Sequence, residues 1–392
     1  MILLILFYWF ILYSINLFIS FAYLINILTT INFLYIITFF SVLFTARFVF
    51  ARYYLVAEKY NLVKGYNNRA VHKGKVYTGA GLVLSFILLL VAVVLNNVEF
   101  LFFEKLAPII SASVLVAVIG FYDDFQDLSA FQKYIVLAFL IAMTIYAGQS
   151  NGVDYGIITN LNGFFGINEI GYFPGFIFTC FVYLSIMNAI NLIDGIDGYI
   201  GIFATIFFFW FFIIYHNNVF FTHSIVSVIF MASMIVFLKH NFSRKEKLFV
   251  GDAGSLFLGF WIANFLILFI TSSDGANFTN IFSIKLENIS VLAIATLNIP
   301  VLDTLRIMLV RALKGRSPFR GDRNHIHHIL IDKGITHFRT SIILCLINAS
   351  NLLLIFLLEP YFNSVELTGI YIGISLIWFG IFEYIRRKKY SI

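Results

Sequence analysis

The sequence predicts an all-α, polytopic integral membrane protein with about 11–12 transmembrane helices and an active site at the cytoplasmic face. Three observations predict it. Of 392 residues, 61% are hydrophobic and only 12% are charged. Apolar runs near the roughly 20 residues that cross a bilayer as helix recur along the chain. When the runs are taken as alternating spans, 24 of the 26 Lys and Arg residues fall in one set of loops and span ends, leaving only Lys105 and Lys285 in the other. Cytoplasmic loops are the ones that retain such residues.

The elements follow in order. The first 28 residues carry no charge, and they lack the basic start and small-residue cleavage site of a removable signal, so a retained span is expected at about 3–26. Further spans are expected at about 31–56, 79–95, 107–122, 131–149, 173–190, 199–215, 220–239, 255–272, 288–309, 340–358 and 367–385. The chain divides into N-terminal spans at 1–54, a transmembrane core with motif-bearing cytoplasmic loops at 55–340, and C-terminal spans with a basic tail at 341–392. Cys180 and Cys345 lie inside apolar runs with no CxxC, which argues against a disulfide framework and a thiolate metal site. The net charge of +6 sits on the cytoplasmic side and suits anionic headgroups or phosphorylated substrates; no nucleic-acid partner is expected.

Six aspartates stand beside these apolar runs, all on the basic side: Asp123, Asp124, Asp127, Asp194, Asp197 and Asp252. An idle carboxylate there is costly, so they point to cation binding or catalysis. Phe121-Tyr-Asp-Asp-Phe-Gln-Asp-Leu ends one span and is followed by Lys133. Adjacent carboxylates repel unless a positive charge lies between them, and Mg²⁺ is the usual hard partner of carboxylate and phosphate oxygens. Asn188-Ala-Ile-Asn191-Leu-Ile-Asp194-Gly-Ile-Asp197-Gly repeats amides and acids at three-residue intervals, on one face if the helix persists. Gly195 and Gly198 suggest instead that the helix breaks at Asp194. Gly251-Asp252-Ala-Gly-Ser255 opens a span, with Asp252 either serving the site or acting as a simple N-cap. The loop from Arg311 to His328 is the most basic stretch. Its Arg320 and Arg323 beside His325, His327 and His328 fit a pyrophosphate better than zinc, for which the spacing is wrong. Arg69, His72 and Lys73 form a weaker basic patch.

In this order, the four motifs and the Arg69-Ala-Val-His-Lys patch resemble the polyprenyl-phosphate N-acetylhexosamine-1-phosphate transferases, bacterial enzymes of glycosyltransferase family 4, over about residues 55–340. The resemblance implies transfer of an N-acetylhexosamine 1-phosphate from a UDP-sugar to undecaprenyl phosphate. UMP is released, and the product starts O-antigen, teichoic acid or capsule synthesis in the bacterial cytoplasmic membrane. It implies Mg²⁺, with Mn²⁺ as an alternative ion, held by Asn191 and Asp252. It also implies catalytic roles for Asp123, Asp124, Lys133, Asp194, Asp197, His325, His327 and His328, and substrate contacts from Arg69, His72, Asn188, Arg320 and Arg323. Membrane lipids are partners, and a homodimer is compatible with it. Where relatives commonly carry a Pro and paired glycines after the basic patch, this chain reads Val76-Tyr-Thr-Gly-Ala-Gly81. Two other classes remain as alternatives. A Mg²⁺-dependent membrane prenyltransferase has less need of the histidine loop. An anion transporter would use a mid-span charge, for which Asp303 is the candidate, although an ion pair with Arg306 at i+3 accounts for it equally well.

Overall fold

The computed structural model describes residues 27–63, 77–96, 103–126, 128–150, 156–216, 220–271, 284–315, 317 and 324–387. The span expected at 3–26 lies outside them, as do Asp127, Arg69, His72, Arg320 and Arg323. The described residues form thirteen α-helices: α1 Ile27–Lys59, α2 Ala80–Leu95, α3 Ala107–Gln126, α4 Ala130–Ser150, α5 Tyr172–Ile193, α6 Tyr199–Tyr215, α7 Phe221–Asn241, α8 Gly251–Thr271, α9 Ile289–Ala295, α10 Asn298–Leu313, α11 Ile326–Asp332, α12 His337–Leu358 and α13 Ser364–Arg387. They contain no strand, only three isolated backbone bridges. Eight of the helices are long and apolar enough to cross a membrane, while α2 and α6, of 16 and 17 residues, are shorter apolar helices. The fold is all-α and polytopic.

The run at 288–309, expected as one span, is broken: α9 and α10 meet at an angle of 68°. Pro300 is the cause. It has no N–H to give the Thr296 carbonyl, and its ring crowds that carbonyl in a continuous helix. Asn348 of α12 bridges the break. Its Nδ2 donates to the Thr296 carbonyl at 2.9 Å, and its Oδ1 accepts from the Ile299 N–H at 3.0 Å. Inside lipid a freed backbone group costs several kcal/mol, which is why a break must carry its own partner.

Helix α8 is the axis of the bundle, buried along almost its whole length. Backbones approach it closely. A Cβ on Gly120 of α3 would stand 2.7 Å from the Cα of Ala253, and one on Gly259 of α8 would stand 2.7 Å from the Cα of Met187 on α5. Small residues at helix contacts are how membrane bundles gain packing that lipid cannot drive. Farther along, Trp261 and Phe265 of α8 pack against Phe230 of α7 and Phe208 and Phe211 of α6. Many of the phenylalanines therefore fill the core, whereas Phe131, Ile135, Phe139 and Tyr146 of α4 remain exposed, as on a lipid-facing helix.

At one end of this bundle, loops tie the helix ends together. Tyr77 bridges both Val63 and Leu248, and its carbonyl accepts from the Phe249 N–H at 2.8 Å. That pairing lays the segment before α2 against the segment before α8.

Candidate active site

The acidic motif ends α3, and Lys133 lies in the first turn of α4. The turn between them is fixed by the Leu128 N–H donating to Asp123 Oδ1 at 2.8 Å. Lys133 Nζ then lies 2.6 Å from Asp123 Oδ2 and 2.6 Å from Asp252 Oδ2. One ammonium thus stands between two carboxylates that are far apart in sequence. With both ionised, the trio keeps one net negative charge, and Asp252 is its most open member at 21% side-chain exposure.

Asp124 has a different part. Its Oδ1 accepts from the backbone N–H of Asp252 at 3.0 Å, and its Oδ2 accepts from Ala253 N–H at 3.4 Å and from the Thr78 hydroxyl at 2.7 Å. It therefore caps α8 from another helix, supplying the acceptor that a helix start lacks. This corrects the reading of Asp252 as an N-cap. The helix begins at Gly251, and the Asp252 side chain is turned to Lys133. Gly251 adopts φ +64°, and a Cβ there would strike Thr78 Oγ1 and Asp124 Oδ2, so the capping geometry requires glycine.

Helix α5 ends at Ile193, and Gly198, at φ 82°, opens α6; the helix breaks at Asp194, and the polar stripe does not continue as helix. Asn188 accepts a hydrogen bond from the Tyr134 hydroxyl. Asn191 donates through Nδ2 to Ser255 Oγ at 2.9 Å, and Ser255 donates to the Gly251 carbonyl at 2.8 Å. With its nitrogen committed, Asn191 has its amide oxygen left for a ligand. That oxygen and the Asp252 carboxylate are hard donors on adjoining helix ends, a set that suits Mg²⁺ completed by phosphate oxygens and water. Among the described residues no group of three or more His, Cys, Asp or Glu side chains forms a metal cage.

Asp197 lies in a second charged cluster. Its Oδ2 is 2.6 Å from Lys247 Nζ and 3.6 Å from His337 Nδ1, and its carbonyl accepts from Ser341 Oγ at 2.7 Å. Nothing local in the sequence ties Lys247 or His337 to Asp197. In the histidine motif, His325 and His327 stack at 5.5 Å with an interplanar angle of 10°, and His327 and His328 are 4.3 Å apart. His327 is fully buried, and a Cβ on Gly195 would overlap its Nε2. The α5–α6 turn is therefore in direct contact with the histidine motif. Burial, then the charges of His328 and His325, push His327 well below the ordinary histidine value, so it is neutral at pH 7.

The site thus gathers Asp123, Asp124, Lys133, Asn191 and Asp252 into one connected set, with Asn188 joined to α4 through Tyr134. His327 meets the Gly195 turn beside Asp194, and Asp197, later in that turn, is held by Lys247 and His337. Comparisons with known proteins show what the chain is similar to. The profile described as glycosyl transferase family 4 matches residues 106–270, which contain every acidic motif. An undecaprenyl-phosphate alpha-N-acetylglucosaminyl 1-phosphate transferase of Yersinia pestis is 30% identical over 59% of this chain and 60% of its own. The protein of the same description from Escherichia coli K12 is 29% identical over 72% of each chain. A decaprenyl-phosphate N-acetylglucosaminephosphotransferase of Mycobacterium leprae is 28% identical over 63% of each. The chain spans less than two thirds of the length of the Mycobacterium and Yersinia relatives. The acidic motifs assembled at one end of an all-α membrane bundle thus fall in the stretch, residues 106–270, over which the chain is similar to glycosyl transferase family 4, and its relatives are described as polyprenyl-phosphate N-acetylglucosamine phosphotransferases.

Proposed function

We propose that this protein transfers an N-acetylhexosamine 1-phosphate from a UDP-sugar to undecaprenyl phosphate at the cytoplasmic face of the bacterial inner membrane, beginning a cell-surface polysaccharide. The observation that carries the reading is Lys133 held at 2.6 Å from both Asp123 and Asp252. This joins a cation to two acidic motifs at the end of a bundle, where a lipid phosphate and a soluble sugar nucleotide can meet. N-acetylglucosamine is the first sugar to test, since it is the one named in the relatives' descriptions.

The reaction forms a bond from a lipid-phosphate oxygen to the phosphorus bearing the sugar and breaks the bond from that phosphorus to the bridging oxygen, which leaves with UMP. A phosphate oxyanion is already a nucleophile at neutral pH, so direct attack is favoured over an aspartyl intermediate. Mg²⁺ at Asn191 and Asp252 would neutralise charge on the diphosphate. Lys133 orients the transferring phosphates, and Asp123 positions the lipid phosphate. Asp124 holds the start of α8, and with it Asp252, in register. The histidines and the arginines at 320 and 323 receive charge gathering on the leaving UMP.

The test is UMP release by the purified full-length protein in detergent, with undecaprenyl phosphate, Mg²⁺ and a panel of UDP-N-acetylhexosamines. UMP appearing with one sugar and lost in Asp252→Asn establishes the reaction and its donor. Folded protein that yields no UMP with any sugar rejects it, and pyrophosphate release from a prenyl diphosphate would favour a prenyltransferase.

A further inference from the structure

Asp303 on α10 is 3% exposed and lies outside the residues so far placed in the site. Its pairing with Arg306 exists, with Nη2 2.9 Å from Asp303 Oδ1, but the carboxylate does more. The same Oδ1 accepts from the Ile326 N–H at 3.1 Å, at the start of α11, and Oδ2 lies 2.9 Å from Nδ1 of His325. A carboxylate bound to a guanidinium and a backbone N–H is ionised and can only accept. The proton in the Asp303–His325 contact therefore belongs to the imidazole.

Arg306 is held from the other side. Its Nη1 lies 2.8 Å from Glu383 Oε1, its Nη2 donates to the Asn324 carbonyl, and Glu383 Oε2 accepts from Arg386 Nε at 2.9 Å. Glu383 and Arg386 belong to α13, beyond both the motif-bearing core expected from sequence and the matched family region. A chain of charges thus runs from the last helix through Arg306 and Asp303 to the first histidine of the motif. Among the described residues, two further rings stand against His325: His327, stacked on it, and His328 at 6.5 Å.

We propose that Asp303 is a positioning residue for His325: by keeping the proton on Nδ1, it makes Nε2, on the opposite edge of the ring, the nitrogen that exchanges a proton or hydrogen bond with the substrate phosphates. The tautomer and ring angle of His325 are set by α10 and, through Arg306, by α13. The involvement of substrate phosphates rests on the transferase reading above, whereas the tautomer does not. A carboxylate behind an imidazole fixes both its orientation and which nitrogen is basic.

The test uses the full-length protein with ¹⁵N-labelled histidine in detergent, where long-range ¹H–¹⁵N correlations distinguish protonated from bare ring nitrogens and His325 is identified by its loss in His325→Gln. The neutral His325 is expected to carry its proton on Nδ1; a proton on Nε2 overturns the proposal, and this reading needs no Asp303 variant to fold. In the UMP assay, Asp303→Asn is expected to lower kcat by roughly tenfold or more with KM little changed. It should cost nothing further in a His325→Gln background. Losses that multiply in the double variant mean that Asp303 does not act through His325, and they overturn the proposal. Absence of UMP from the wild-type protein would instead fault the transferase reading, and the nitrogen spectrum would still decide the tautomer.

Discussion

His327 packs its Nε2 against the α-carbon of Gly195, in the space that any other residue's Cβ would fill. The second glycine-containing motif and the histidine motif, separated by more than a hundred residues, are complementary surfaces. A side chain at 195 must displace a buried imidazole.

Gly195→Ala should therefore destabilise the protein by about 1–3 kcal/mol, the usual cost of overpacking. Because the clash is with one ring, Gly195→Ala with His327→Ala should be more stable than the sum of the single losses predicts. Thermal unfolding in detergent of the two single variants and the double measures this. Strict additivity would mean that the contact is not what requires glycine.

The Asp124 cap makes a second prediction, which separates structure from chemistry. Asn is as good a helix cap as Asp, whereas Ala is not. If Asp124 works by accepting the N–H groups of Asp252 and Ala253, then Asp124→Asn keeps most of the stability and a large part of the turnover. Asp124→Ala loses about 1–2 kcal/mol and most of the turnover, because the start of α8 loosens beneath Asp252. Unfolding and UMP release on the same preparations check it. Loss of turnover in Asp124→Asn with stability intact would restore the chemical role expected for both members of the acidic pair.

What the sequence revealed depended on how local the signal was. The helices were legible because lipid-facing and core positions alike demand long apolar runs. The acidic motifs were legible because carboxylates beside such runs are expensive. The break before Pro300 was not, since a proline is tolerated near a helix start and the stabilising partner, Asn348, lies on another helix. The apolar run points to a start for α8 four residues later than Gly251, because its first turn is Gly-Asp-Ala-Gly and its cap comes from Asp124 on α3. Lys247 and His337 looked like ordinary residues of a basic loop, and only the folded chain brings them to Asp197. Asp303 and Arg306 were visible as a pair at i+3, but nothing near them in sequence pointed to His325 or Glu383.

Lys133 carries the last prediction. Its ammonium is the counter-charge of Asp123 and Asp252, so it competes with any divalent ion for the Asp252 carboxylate. Lys133→Met removes the competitor, leaves the two acids facing one another, and keeps a side chain of similar length. Mn²⁺, followed by electron paramagnetic resonance, should bind the variant about tenfold more tightly, which is about 1.4 kcal/mol. UMP release should nevertheless fall by roughly a hundredfold, because a positive group aimed at the transferring phosphates is gone. Tighter ion binding with slower turnover is a combination that simple damage to the site does not produce. Weaker Mn²⁺ binding in the variant would show that Lys133 supports the ion site rather than occupying part of it.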